Sequence, residues 1–314
     1  KASLTNFTTG HSNVSIGWLA GQAINTGHEN TIMGYEAAYN LTTADNNVII
    51  GYQTGYNLTT SRYNVLIGDQ AGYNLVESSA NNDNVMIGNS AGYAGDNTWP
   101  QATDNVYVGR SAGHHLDDGY ANVAIGKEAG FSNSGGGNAS HKSVWIGYQA
   151  GYSVTDSYYG VMIGYEAGKS VTTGGNNVII GYQAMDTGTT VNNSVAIGHN
   201  TMGAVPAGQA IEHAIAIGTD ALLVGRSTTD GPNGTVAIGS SAGRTITTGE
   251  NNTFVGYNAA YNVTTGGSNT IVGRHAGNKI EKGSSNAFLG YSAGHYTTGS
   301  YNTFVGAEAG KGGQ

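Results

Sequence analysis

The sequence predicts an all-β fold, a short-coil parallel β-solenoid (β-roll) of about 17 coils with about 17 residues in each. The first observation is self-similarity. A segment of the form Asn-Val-x-Ile-Gly recurs with its glycine at Gly17, Gly34, Gly51, Gly68, Gly88, Gly109, Gly126, Gly147, Gly164, Gly181, Gly198, Gly218, Gly239, Gly256, Gly273, Gly290 and Gly306. The second is the interval, mostly 17 residues and lengthened by three or four at five steps. That period is too short for a pair of helices and fits one turn of a narrow stack. The third is composition: Gly and Pro together are roughly 18% of the chain, below the range of low-complexity disorder, and 20 Tyr argue for a folded chain.

Each coil opens with a short strand. Three residues before the glycine stands Val or Thr almost everywhere, as at Val48, Val65 and Thr253; immediately before it stands Ile, Val, Leu or Met, as at Ile50, Ile67 and Val255. Being two apart they share one face, read here as the inner wall. The residue between them then points outward, yet it is apolar in all coils but that of Ser15. The expectation is an outward ridge that sister chains cover, with Ile49, Leu66, Met86, Trp145, Ile179, Phe254, Ile271, Phe288 and Phe304 as the oligomer interface.

After the glycine the coil turns. Three residues on is nearly always Ala (Ala20, Ala37, Ala71, Ala242), often followed by Gly, as a tight corner requires. Seven on is commonly aliphatic (Ile24, Leu41, Leu58, Val263), closing a small core from another wall. A Thr-Thr turn, as at Thr172 and Thr173, leads back to an Asn four before the next glycine, present in 12 coils. Identical amides one above another can bond along the stack, and the tyrosines just after the glycine (Tyr35, Tyr52, Tyr165) can stack likewise.

The organisation predicted is a lead-in over 1–12, one repetitive domain over 13–310 and a tail over 311–314. Insertions fall near 73–84, 93–105, 131–143, 203–214 and 223–235, and all three prolines lie in them. Three regular coils followed by two long ones occur after Gly17 and again after Gly147, which reads as a duplication of about 130 residues within one domain.

Segments such as Ser194-Val195-Ala196-Ile197-Gly198 and Ala214-Ile215-Ala216-Ile217-Gly218 resemble the YadA-like head repeats of trimeric autotransporter adhesins. Asn252-Thr253-Phe254-Val255-Gly256 and Asn302-Thr303-Phe304-Val305-Gly306 resemble repeats of phage and bacterial tail-fibre β-solenoids. The resemblance covers residues 13–310 and implies a left-handed β-roll, a homotrimer about a common axis, and attachment to surfaces. The coil is longer than in adhesin heads, and neither a stalk heptad nor a membrane anchor is visible.

Charged residues are only 10% of the chain and the net charge is -8, so no basic stripe is available for nucleic acid. No run of apolar residues is long enough to span a membrane as a helix. With no cysteine, neither disulfides nor thiolate metal sites are available, and no cofactor is expected. Loops on a rigid scaffold commonly carry recognition, and Asp96, Trp99 and Asp104 form the candidate contact for a cell-surface glycan or protein receptor. His114, His115, Asp117 and Asp118 have the residue types of a metal site but sit at one coil corner without a matching second cluster. Glu36, Glu128 and Glu166 stand where Gln53, Gln149 and Gln183 stand in other coils, which speaks against a general acid.

The function expected is therefore a non-enzymatic extracellular or cell-surface fibre or adhesin head, a trimeric rod presenting loops. A self-assembling structural filament and a phage tail-fibre shaft on a virion are the alternatives. No capping helix is visible at either end, so a segment of a longer fibre and a head-to-tail polymer are both open.

Overall fold

A glycine with a left-handed φ follows every strand of the main sheet, and this recurring break shapes the chain. The computed structural model describes residues 6, 8–75, 83–94, 102–116, 118–132, 140–205, 210–223 and 231–312. The chain is an all-β parallel solenoid of about 15 turns, about 17 residues per turn, with no helix among the described residues. It divides into two compact units, Lys1–Tyr159 and Gly160–Gln314.

The first unit stacks Val14–Ile16, Thr31–Met33, Val48–Ile50, Val65–Ile67, Val85–Ile87, Val106–Val108, Val123–Ile125 and Val144–Ile146 as one parallel sheet in sequence order. Equivalent residues pair throughout, so Ile49 meets Leu66 and Tyr107 meets Ala124. The second unit does the same with Val161–Ile163, Val178–Ile180, Val195–Ile197, Ile215–Ile217, Val236–Ile238, Thr253–Val255, Thr270–Val272, Ala287–Leu289 and Thr303–Val305. It also carries a second wall, in which Thr173–Gly175, Thr190–Asn192 and Ala210–Glu212 pair in parallel. The Thr-Thr segment read as a turn at Thr172–Thr173 thus enters a strand. In the first unit Asp156–Tyr158 is bridged to His141.

The lengthened intervals do not break register. Val65 pairs with Val85 across 20 residues and Val85 with Val106 across 21. The extra residues lie outside the ladder, as insertions in a repeat must if equivalent residues are to stay paired.

The inner and outer faces are the reverse of the expectation. The middle residue of each strand points into the core: Ile49, Leu66, Met86, Trp145, Ile179, Phe254 and Ile271 are fully buried within the chain, and Phe288 is nearly so. Phe304, in the last strand of the second unit, is half-buried and stacks on Phe288 at 5.1 Å between ring centroids. The eight buried residues are therefore closed to an oligomer partner, and of the nine only Phe304 is partly accessible. The flanking residues face outward, from Ile16 at 56% exposed to Leu289 at 51%. Three-residue strands explain the inversion: both faces are apolar, and period-2 alternation separates the faces without saying which is inside.

The core of each coil holds the middle residue, the Ala three after the glycine and the aliphatic residue seven after it, all buried in Ile49, Ala71, Ile24, Leu41, Leu58 and Val263. Large middle residues sit against glycine. A Cβ at Gly113 would meet the Tyr107 ring, and one at Gly130 or Gly151 would meet Trp145. Small middle residues do the opposite: Ala196 and Ala216 share their coils with buried Met202 and Leu222 at the position where Gly113 stands. Gly243, in the coil of Ala237, is overlain by Leu222 from one side and Phe254 from the other. Volume is conserved along the stack and not within each coil, as close packing requires.

Candidate functional site

The outward face of the main sheet carries two columns in each unit, aliphatic in the first apart from Thr31 and interrupted in the second by Thr253, Thr270 and Thr303. In the first unit one column runs Val14, Thr31, Val48, Val65, Val85, Val106, Val123, Val144, and the other runs Ile16, Met33, Ile50, Ile67, Ile87, Val108, Ile125, Ile146. None of the sixteen is charged, and each is half-buried or exposed. At about 40 Å² each the face amounts to roughly 600 Å², the upper end of what a lone soluble protein leaves as one apolar patch.

This face is bordered by side-chain ladders at the turn. Trp18, Tyr35 and Tyr52 stack at 4.8 and 5.3 Å, and Tyr165, Tyr182 and His199 at 5.1 and 5.3 Å. One residue further on, Gln53 Nε2 donates to Glu36 Oε2 at 2.9 Å and Gln149 Nε2 to Glu128 Oε2 at 2.7 Å. Glu166 is held below the usual carboxylate range by hydrogen bonds from Lys169 Nζ at 2.8 Å and Gln183 Nε2 at 2.9 Å. These carboxylates are acceptors in a ladder whose backbone has φ near +50°, as at Glu36, Gln53 and Glu166.

Inside the turn a third column forms from the residue five after the glycine. Tyr39, Tyr56, Tyr73, Tyr93, His114, Phe131 and Tyr152 stack in one continuous run with centroid spacings of 4.9, 5.2, 5.5, 5.2, 4.9 and 4.9 Å. The sequence pattern predicts stacked tyrosines at the position after the glycine; the recurrence of aromatic residues five after it is the signal that marks this column.

His114 belongs to that ring column. Its faces are covered by Tyr93 and Phe131, and burial, with the neighbouring His115, pushes its pKa down to about 4. His115 lies beside it at 4.1 Å between centroids, and its backbone N–H donates to Tyr93 O at 2.9 Å. Asp118 is half-buried, and Asp117 lies outside the described residues. Among the described residues no group of three His, Cys, Asp or Glu is arranged to hold a metal ion.

Of the candidate contact loop, Asp96 and Trp99 lie outside the described residues. Asp104 is exposed, with φ of 59° just before the buried Asn105. The same left-handed turn recurs at Asn46 and Tyr63, so a backbone requirement that Asp and Asn meet well accounts for Asp104.

No helix among the described residues is long and apolar enough to cross a membrane. No protein-family model matches the chain, and no curated protein matches it significantly.

Proposed function

We propose that the chain is a non-enzymatic building block of an extracellular fibre or adhesin head, whose outward strand faces pack against those of sister copies while loops remain free for surface or glycan attachment. The carrying observation is the pair of outward aliphatic columns. Parallel sheets occur almost always with both faces covered, and here one face is covered by the chain's own core while the other is left open. The first unit's face of roughly 600 Å² approaches the ~800 Å² that each partner contributes to a standard stable interface. The buried interface named from the strand centres is thereby replaced by Val48, Ile50, Val65, Ile67, Val85 and Ile87 and their equivalents. Three copies is the number that the YadA-like resemblance implies.

Light scattering on the full chain tests this. A discrete mass near three times the chain's 32.1 kDa supports a closed trimer, and mass that grows with concentration supports a filament. Replacing Ile50, Ile67 and Ile87 together with Lys should return a single-chain mass with unchanged β-sheet circular dichroism, because these side chains already reach solvent. A wild-type chain of single-chain mass overturns the association reading. For attachment, glycan-array binding lost on Trp99→Ala is the expected result, and a wild-type chain silent on a broad array counts against it.

A further inference from the structure

In the second unit the position five after the glycine carries a ring in only two coils, on either side of one that carries an asparagine. Five residues after successive glycines stand Tyr261, Asn278 and His295, on consecutive rungs: Asn262 N–H donates to Asn278 O at 3.1 Å and Lys279 N–H to His295 O at 2.9 Å. In the first unit every such position from Tyr39 to Tyr152 holds a ring, spaced by 4.9 to 5.5 Å. Two coil steps separate Tyr261 from His295, about 9.6 Å at the usual strand spacing, which is the distance between the outer rings of a three-ring stack. The structure has an open cleft of about 300 Å³ there, lined by Asn258, Tyr261, Asn262, His275, Asn278, Lys279 and His295.

The two rings that bound the cleft are held in place. Tyr261 has the Arg244 guanidinium over its ring, 5.6 Å from its centroid, and its hydroxyl accepts from Arg244 Nη1 at 2.9 Å. His295 Nδ1 lies 3.1 Å from the carbonyl oxygen of His275, which can only accept, so Nδ1 carries the proton and Nε2 is left as the acceptor. Tyr296 packs edge-on to His295 at 4.4 Å. Asn278 does not fill the rung: its Nδ2 reaches back to Asn258 O at 3.3 Å. Burial, with Arg274 and His295 nearby, holds His275 below the usual histidine range, so it lines the cleft as a neutral ring at neutral pH. Lys279 brings a positive charge to the lining, and no carboxylate is among the lining residues.

We propose that this cleft binds a small planar aromatic acid, its ring placed between Tyr261 and His295 at the level of Asn278 and its carboxylate directed to the Lys279 ammonium. The asparagine amides offer hydrogen bonds at the ring's edge, and the volume admits one ring with one substituent. The site is independent of the association surface.

The probe is 4-hydroxybenzoate, followed by backbone amide NMR signals of the full chain. Saturable shifts confined to residues 258–262, 275–279 and 295 are expected, with cyclohexanecarboxylate, equal in charge but not planar, binding at least about tenfold more weakly. Asn278→Tyr should supply the missing ring from the chain itself and abolish the shifts. Lys279→Gln, at an exposed position, should weaken binding about fivefold while leaving the fold intact, as loss of one solvent-exposed ion pair does. Absence of saturable shifts at about 10 mM, equal binding of the non-planar acid, or unchanged binding in Lys279→Gln overturns the proposal. Should Asn278→Tyr fail to fold, the wild-type comparison of the two acids and the Lys279→Gln arm still decide it.

Discussion

At the scale of single residues, the repeated glycine answers to two constraints at once. Gly51 has φ of 141°, and a Cβ there would run into the carbonyl oxygen of Gly68 in the next coil. Other left-handed positions do accept side chains, as at Glu36 and Gln53, because their φ near +50° lies in the small region open to L-residues. His114 shows how a ring column constrains chemistry. The folded chain keeps it neutral down to about pH 4, whereas the unfolded chain protonates it near its ordinary value of 6.5. The unfolded state therefore takes up the additional proton between those values, so this group's contribution is complete above 6.5 and disappears as pH falls toward 4. His114→Tyr should reduce the loss of stability on acidification across that window, measured as denaturant midpoints at neutral pH and near pH 4.5. Equal acid sensitivity of the two proteins would remove His114 as its source.

At the scale of the coil's elements, the asparagine ladder ties each rung to the next. Asn47 Oδ1 accepts both the backbone N–H of Asn64 at 3.0 Å and its Nδ2 at 3.1 Å, and Asn64 Oδ1 serves Asn84 in the same way at 3.1 and 3.1 Å. Both residues are fully buried. In the second unit Asn252, Asn269 and Asn286 repeat the pattern, while Ser194 and Thr235 keep part of it with a hydroxyl. Asn64→Leu would leave Asn84 donors and the Asn47 oxygen short of partners in a dry interior, a cost of roughly 2–4 kcal/mol by chemical denaturation. A loss under about 1 kcal/mol would mean that water enters and satisfies the ladder. This ladder was readable from the recurrence of Asn four before the glycine. The second wall at Thr173–Gly175 and Thr190–Asn192 was not, since Thr-Gly-Gly carries a turn signature and becomes a strand only when its neighbour offers a pairing edge.

At the scale of the whole molecule, the core behaves as a column filled from several coils. Met202→Gly should cost about 2–4 kcal/mol by opening a cavity beside Ala196, and Ala196→Met alone about 1–3 kcal/mol by overpacking. Together they should recover more than half of the summed loss, because the double variant restores the arrangement of Met86 facing Gly92. Additive losses in urea unfolding would show that the two side chains do not share one volume. The candidate cleft depends on neighbouring coils in the same way: the first unit's ring column is continuous from Tyr39 to Tyr152, whereas in the second unit Asn278 stands between the rings of Tyr261 and His295 and lines a cleft with them.

Sequence alone determined the period, the parallel register, the glycine corners and the amide ladder, because each depends on one residue type recurring at one interval. Only the tertiary structure decided which strand face is inner. Val48, Ile49 and Ile50 are all aliphatic, so hydrophobicity gives no sign to the alternation; the choice rests on whether the turn that follows leaves room for the middle side chain, a matter of volume between coils distant in sequence.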